Sequence, residues 1–292
     1  MNQHNSIMKT KFLTALFLLS SILTWAQMKT PETPKDVIQL IKKNVTCKWA
    51  DKTVDTFKAG NPQTKLKGTA TCMFADMHVL KEAVQKGCNL IITHEPVFYN
   101  HLDQTSSFEN DPVFKEKMEF IEKNDLVIFR FHDHIHRTEP DGISKGMIRE
   151  MDLEPHAVNG SQTNFKIPEI SLKKFSKELK NKLGLETIRI IGNPEMKFKK
   201  LAFMAGAPGG QRHMQLLRNQ EVEVLIAGEA PEWETYLYAN DAVAQGKNKA
   251  VIFLGHIKSE EAGMKYAAEW LDDIVEGVPV IFIENKPNFK TL

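Results

Sequence analysis

The histidines of this chain that could do chemistry stand where apolar runs stop. His94 and Glu95 follow the run at 90–93, while His132, His134 and His136 follow the run at 126–131. His256 follows the run at 251–254, with Glu260 four residues further on, across a turn into the next helix. Neutral imidazole nitrogen is a strong ligand for late first-row metals, and carboxylates can bridge two ions or complete the shell of one. Three strand ends carrying imidazoles therefore point to a metal centre.

Each residue also has a plainer reading. A single strand-end histidine is more often a surface or hydrogen-bonded residue, which is how His78, His156 and His213 are read. Glu260 alone is an ordinary carboxylate in the first turn of a helix that Ser259 would cap, worth about 0.3–1 kcal/mol against the helix dipole. His101 either faces the site or lies in an exposed loop. Glu229 either exchanges a proton with a substrate or is a hydrogen-bonded strand-end carboxylate. Asp133 and His134 could orient ligands from behind, and His132 is an alternative ligand. What favours a centre is that His94-Glu95, the 132–136 segment and His256 with Glu260 fall at one edge of the expected sheet.

The elements that must position these residues alternate. Thr33-Pro34 opens an amphipathic helix. Strands are then expected at 70–74, 90–93 and 126–131, with helices capped by Asp76, opened by Asp111-Pro112 and starting at Ile143. A second stretch repeats the order, with strands at 201–205, 224–227 and 251–254, helices near 214–217, 232–244 and 260–274, and a last strand at 278–283. Between the two lie a helix at 171–183 and a strand at 188–191. The expected fold is α/β, with two similar intertwined lobes at 31–155 and 199–292 joined by a connector at 156–198. Each lobe is a mostly parallel or mixed sheet with flanking helices. The similarity of Ile92-Thr93-His94-Glu95-Pro96 to Ile226-Ala227-Gly228-Glu229-Ala230-Pro231 favours an internal duplication. Ligands of such sheets bind beyond the carboxyl ends of the strands, so the metal site is expected there, between the lobes. The Gly206-Ala207-Pro208-Gly209-Gly210 turn either offers N–H groups to an anion or is a plain tight turn.

Composition bounds the rest. The 38 basic and 37 acidic residues nearly cancel and are scattered, which excludes the basic surface that nucleic acid needs. The three cysteines do not make a disulfide framework, and Cys72 and Cys88 read as buried free thiols. Residues 1–26, with Lys9 and Lys11 before an apolar run that ends at Ala26, form an expected signal peptide. The run falls short of the roughly 20 apolar residues that cross a bilayer. The mature chain is therefore expected to be periplasmic or secreted and free of the membrane.

The segments Gly87-Cys88-Asn89-Leu90-Ile91-Ile92-Thr93-His94-Glu95-Pro96, Val224-Leu225-Ile226-Ala227-Gly228-Glu229 and Gly255-His256-Ile257-Lys258-Ser259-Glu260, together with 55–60, resemble the NIF-three-like family, also called GTP cyclohydrolase I type 2. The resemblance implies a dinuclear-metal protein of two α/β lobes, assembled as a toroidal homo-hexamer. It implies metal ligands at His94, Glu95, His136, His256 and Glu260. Two of these depart from the family pattern: Glu95 stands for the second histidine of a His-His pair, and His136 for the aspartate of a His-Thr-Asn-Leu-Asp segment. One site has exchanged imidazole for carboxylate and the other the reverse. Two divalent ions per chain are expected, with zinc, manganese, iron and nickel all compatible. The expected function is metal-dependent hydrolysis of an unknown small substrate, with Glu229 as a catalytic group; the alternative is a non-catalytic metal-binding scaffold. Export disfavours GTP as the substrate.

Overall fold

The structure, a computed structural model, describes residues 30–286 and Phe289. The expected signal peptide lies outside the described residues. The first helix, α1 (Pro34–Asn44), opens with a capping box in which the Thr33 hydroxyl accepts the Asp36 N–H and the Asp36 carboxylate accepts the Thr33 N–H.

The strands form two five-stranded sheets. In the first, β2 (Thr69–Cys72), β3 (Leu90–Thr93) and β4 (Val127–Arg130) run parallel; β1 (Phe57–Ala59) lies antiparallel on the β4 edge and β10 (Val280–Phe282) parallel on the β2 edge. In the second, β7 (Lys197–Met204), β8 (Val224–Ala227) and β9 (Ala250–Phe253) run parallel, edged by antiparallel β5 (Asn164–Ser171) and β6 (Arg189–Ile191). All four residues of β2, β3, β4 and β8 are buried. That explains the continuous apolar runs at 90–92, 127–129 and 224–227: a parallel strand covered by helices on both faces has no polar side.

Successive side chains enter different cores. Ile91 and Ile128 pack with α2 (Met77–Gln85) and α3 (Pro112–Lys123), while Leu90, Ile92, Val127 and Phe129 pack with α1 and with α9 (His256–Asp272). The second sheet packs one face on α6 (Leu172–Lys182) and α5 (Gly142–Glu150), and the other on α7 (Gly210–Arg218) and α8 (Leu237–Ala244). Residues of α5 and α9 enter the cores of both sheets.

Two glycines set how closely these helices pass. A Cβ on Gly146 would lie 2.3 Å from the Ala262 carbonyl oxygen, and one on Gly263 would lie 2.5 Å from Ile143 Cα. The backbones of α5 and α9 therefore touch, and this contact fixes the start of α9 against the segment before α5.

Three of the expected features turn out differently. The last strand, expected in the second unit, joins the first sheet, with Val280 paired to Thr69. The cause lies in α9, which buries Met264, Ala267 and Leu271 in the first core and carries the chain back there; Leu271→Ala would cost about 2–5 kcal/mol. The expected connector contributes β5 and β6, the two edge strands of the second sheet. The expected helix at 232–244 begins as a π-helical turn, Glu232–Tyr236, before α8.

Candidate metal centre

Backbone ladders continue past the ends of β3 and β4 and aim the side chains that follow. The N–H groups of His94 and Glu95 donate to the carbonyls of Cys72 and Met73, and that of Phe131 donates to Thr93. Past Phe131 the chain turns into a short helix, α4 (Asp133–Arg137), absent from the sequence expectation. Its start is tied by Asp55: Oδ1 accepts the N–H groups of His132 and Asp133 at 2.7 and 2.9 Å, and Oδ2 accepts that of His134 at 2.9 Å. This anchored turn brings His132 and His136 to the same side as His94.

Four imidazoles share one arrangement, with Nδ1 engaged outward. His94 Nδ1 lies 3.2 Å from the Phe131 carbonyl oxygen. His132 Nδ1 is 3.1 Å from Asp133 Oδ1, His136 Nδ1 is 2.9 Å from Asp141 Oδ2, and His256 Nδ1 is 3.0 Å from Glu229 Oε2. Carbonyl and carboxylate oxygens accept, so a hydrogen belongs on Nδ1, and in the neutral ring the Nε2 lone pair is the one left for a metal. An outer acceptor that fixes the tautomer and ring orientation is the usual support of a metal-binding histidine.

The Nε2 atoms meet two carboxylates. Glu260 Oε1 is 3.7 Å from His136 Nε2, and its Oε2 is 3.2 Å from His256 Nε2 and 3.7 Å from His94 Nε2. Glu95 Oε1 is 3.2 Å from His256 Nε2 and 3.7 Å from His132 Nε2. Two groups could hold an ion, each offering ligand atoms within 4.8 Å of one another: His94, His132 and His136; and His94, Glu95 and Glu260. His94 Nε2 and Glu260 Oε2 are buried without a hydrogen bond. Such an atom costs about 1–3 kcal/mol or more if nothing compensates it. A cation ligated by both would compensate it, so the residues present fit a divalent metal.

Helix α9 starts at His256 behind Gly255, whose φ is +80°. Ser259, expected as the cap, lies inside the helix; its hydroxyl donates to the His256 carbonyl and accepts the Gly206 N–H. His256 and Glu260 thus stand one turn apart on a single helix face. Gly206 lies directly against the Glu260 carboxylate. Two N–H groups of the glycine-rich turn are taken by side chains of the protein, Gly206 donating to Ser259 Oγ at 2.9 Å and Gly210 to Glu234 Oε2 at 3.1 Å. The turn's visible part in the site is to back Glu260.

Electrostatics divide the imidazoles. Burial, together with His136 and His132 beside it, pushes His94 well below the ordinary imidazole value. For His256 burial acts the same way but is outweighed by Glu260 and Glu95, which raise it to about 10. His136 is also raised, its burial outweighed first by the bond to Asp141. Burial would raise Glu95, but His256, His132 and Arg130 hold it below the usual carboxylate value. The site thus favours positive charge between Glu95 and Glu260.

All five expected ligands meet in this cluster, and His132 joins them. His134 does not: Nδ1 binds Asp55 at 2.6 Å, Nε2 accepts the Ala50 N–H at 2.9 Å, and the ring stacks on Trp49. With both nitrogens engaged it holds α4 in place, so it is no alternative ligand. Asp133 holds the turn as well as His132, accepting from the Thr53 hydroxyl at 2.7 Å. The exposed His101 ring lies 6.5 Å from that of His132, at the rim. His213 is buried and bonded to Thr235 Oγ1. Three supports were missed in the sequence. Asp55 and Asp141 carry no distinguishing spacing, whereas Arg130, a cation closing the apolar run Val127–Arg130, was a visible anomaly. Fully buried, Arg130 donates to the carbonyls of His94 and His101, and its Nη2 lies 3.5 Å from Glu95 Oε2.

A cleft of about 640 Å³ opens beside the cluster, lined by Glu95, His256, Glu229, Phe74, Tyr99 and Lys117 among others. The model of the Duf34/NIF3 (NGG1p interacting factor 3) family matches residues 33–288. The chain belongs to this family. A GTP cyclohydrolase 1 type 2 homolog of Clostridium acetobutylicum is 23% identical over 213 residues, covering 69% of this chain and 75% of that protein. One from Clostridium perfringens is 24% identical over 191 residues, covering 62% and 69%. Among solved structures, a Staphylococcus aureus hypothetical protein superposes with TM-score 0.69 at 16% identity, covering 90% of this chain and 100% of that one. A Bacillus cereus protein related to NIF3 gives 0.67 at 15%, with the same coverage. At these identities the solved structures speak for the family fold.

Proposed function

We propose that this Duf34/NIF3 protein is an exported hydrolase that binds two divalent ions in the His–Glu cluster and acts on a small substrate in the adjoining cleft. The observation that carries this reading is the set of four imidazoles, each with Nδ1 tied to an outer acceptor and Nε2 turned toward Glu95 and Glu260. Two such ions, when bound, polarise an electrophile and lower the pKa of water.

The chain's own residues supply placement. Arg130 holds Glu95 and the loop behind it, while Gly206 and Ser259 hold Glu260. Glu229 accepts from His256 Nδ1 and lines the cleft at 63% side-chain exposure, so it orients His256 and can exchange a proton with a substrate. Phe74 and Tyr99 give the cleft apolar walls. Export rests on the leader at 1–26 and makes GTP, the compound in the relatives' name, a poor candidate. A mature N-terminus near Gln27 by mass spectrometry tests it.

The decisive assay is a hydrolase panel run on protein loaded in turn with zinc, manganese, iron and nickel. Turnover is expected with at least one, and His256→Ala should abolish it while circular dichroism stays unchanged. Silence of every substrate with every metal would leave a metal-binding scaffold as the better reading. That second reading, and the homo-hexamer with it, is favoured by the exposed Trp233, Tyr236 and Leu237. Sedimentation would report the assembly directly.

A further inference from the structure

The six side chains of the cluster do not offer two equal positions. An imidazole nitrogen has one lone pair and can serve one ion, whereas a carboxylate can serve two. Glu260 has that placement, with Oε1 toward His136 and Oε2 toward His256. His256 Nε2 already has two carboxylate oxygens at 3.2 Å, from Glu95 and Glu260, so this side makes a position without His94. The opposite side has the nitrogens of His132 and His136, with Glu260 Oε1 3.7 Å from His136 Nε2; His94, which is also within reach of Glu95 and Glu260, completes it, its nitrogen and those of His132 and His136 lying within 4.8 Å of one another. The rings pack together as well, with His94 to His132 centroids 4.7 Å apart and His94 to His136 5.0 Å apart.

Resting on the reading of a two-ion centre, we propose that the ion positions are chemically unequal. His94, His132, His136 and Glu260 Oε1 form a nitrogen-rich position that zinc fills first; His256, Glu95 and Glu260 Oε2 form an oxygen-rich position that accepts a harder ion such as manganese. Three imidazoles and one carboxylate suit a four-coordinate zinc ion. One imidazole with two carboxylates suits manganese, which prefers oxygen donors. The asymmetry follows from His136 and His132, which put nitrogen on one side, and Glu95, which puts oxygen on the other; of the three, Glu95 and His136 are the two departures from the family pattern. His132 is thereby a ligand.

The test is a zinc titration of metal-free mature protein against a chromogenic chelator, with metals per chain measured by elemental analysis after dialysis. Two steps are expected, the first at least about 10-fold tighter. Protein loaded with one equivalent of zinc should then take up one manganese, visible by electron paramagnetic resonance. His132→Ala should weaken the first step at least about 10-fold and spare the second, while Glu95→Gln does the reverse. Because the His132 side chain is 25% exposed, its truncation should leave the fold intact, with circular dichroism as the check. His132→Asn provides a second variant that keeps a polar side chain. Two equal steps, or an unchanged first step in both His132 variants, would overturn the proposal. Unequal steps without turnover of any substrate would refute the hydrolase reading and leave this one standing. Turnover with equal steps would do the opposite.

Discussion

Gly206 ties the second sheet to the His–Glu cluster, and replacing it with alanine tests the assignment of Glu260. Its φ is +63°, and an added Cβ would lie 2.3 Å from Glu260 Oε1, where real contacts essentially never fall below 3.0 Å. The carboxylate must therefore retreat from the position in which it faces His136 and His256. Left-handed backbone costs a non-glycine residue about 1–2 kcal/mol, partly offset by a less flexible unfolded chain. The net loss of about 1 kcal/mol should lower the melting temperature of metal-free protein by about 2–4 °C. Gly184→Ala is the matched control, since its φ is +61° and nothing lies within 4 Å of the added carbon. Gly206→Ala should lose at least as much stability as Gly184→Ala, since only its Cβ displaces a neighbour. Only Gly206→Ala should weaken metal binding, by about 10–100-fold as expected when the support of a ligand is disturbed. Chelator competition and thermal unfolding measure the two effects separately. Equal metal affinity in wild type and both variants would refute the view that Gly206 holds Glu260 in a ligating position.

Asp55→Ala leaves three backbone N–H groups and the His134 ring without their acceptor; urea unfolding should show a loss of about 3–5 kcal/mol. His256, raised to about 10, carries a proton at neutral pH that an ion on Nε2 must displace. Metal affinity should therefore rise with pH until about 10, and calorimetric binding enthalpies should vary with the ionisation enthalpy of the buffer; buffer-independent enthalpies would contradict this. The Asp133 carboxyl is held at about 2 against an ordinary 3.8, its burial outweighed by bonds from Thr53 and His132. Because the folded value is depressed, its contribution is full above 3.8 and lost as pH falls through about 2. Asp133→Asn should flatten acid unfolding in that window, and an unchanged profile would rule the contribution out.

Much of the centre was legible in the sequence because its residues sit where a change of period is easy to read. His94, His256 and the 132–136 segment each follow a run buried on both faces, and a run of that kind announces its own end. The resemblance singled out His136, but that His132 joins it while His134 does not was beyond the sequence. Residues one position apart in an extended loop point to opposite sides, but the unforeseen α4 puts His132 and His136 one turn apart and sends His134 to Trp49 and Asp55. Glu229 shows the same gap: its spacing marked it as important, while its bond to His256 Nδ1 exists only across the fold.

The amino-acid sequence by itself determined the family, the alternating α/β elements and the donor types, since period, capping residues and side-chain chemistry are local properties. The tertiary structure alone decided that the last strand returns to the first sheet, that α5 and α9 touch through Gly146 and Gly263, and that Glu260 stands among the histidines of the other sheet. These outcomes rest on the packing of segments more than a hundred residues apart, and a ligand set takes its geometry from such contacts.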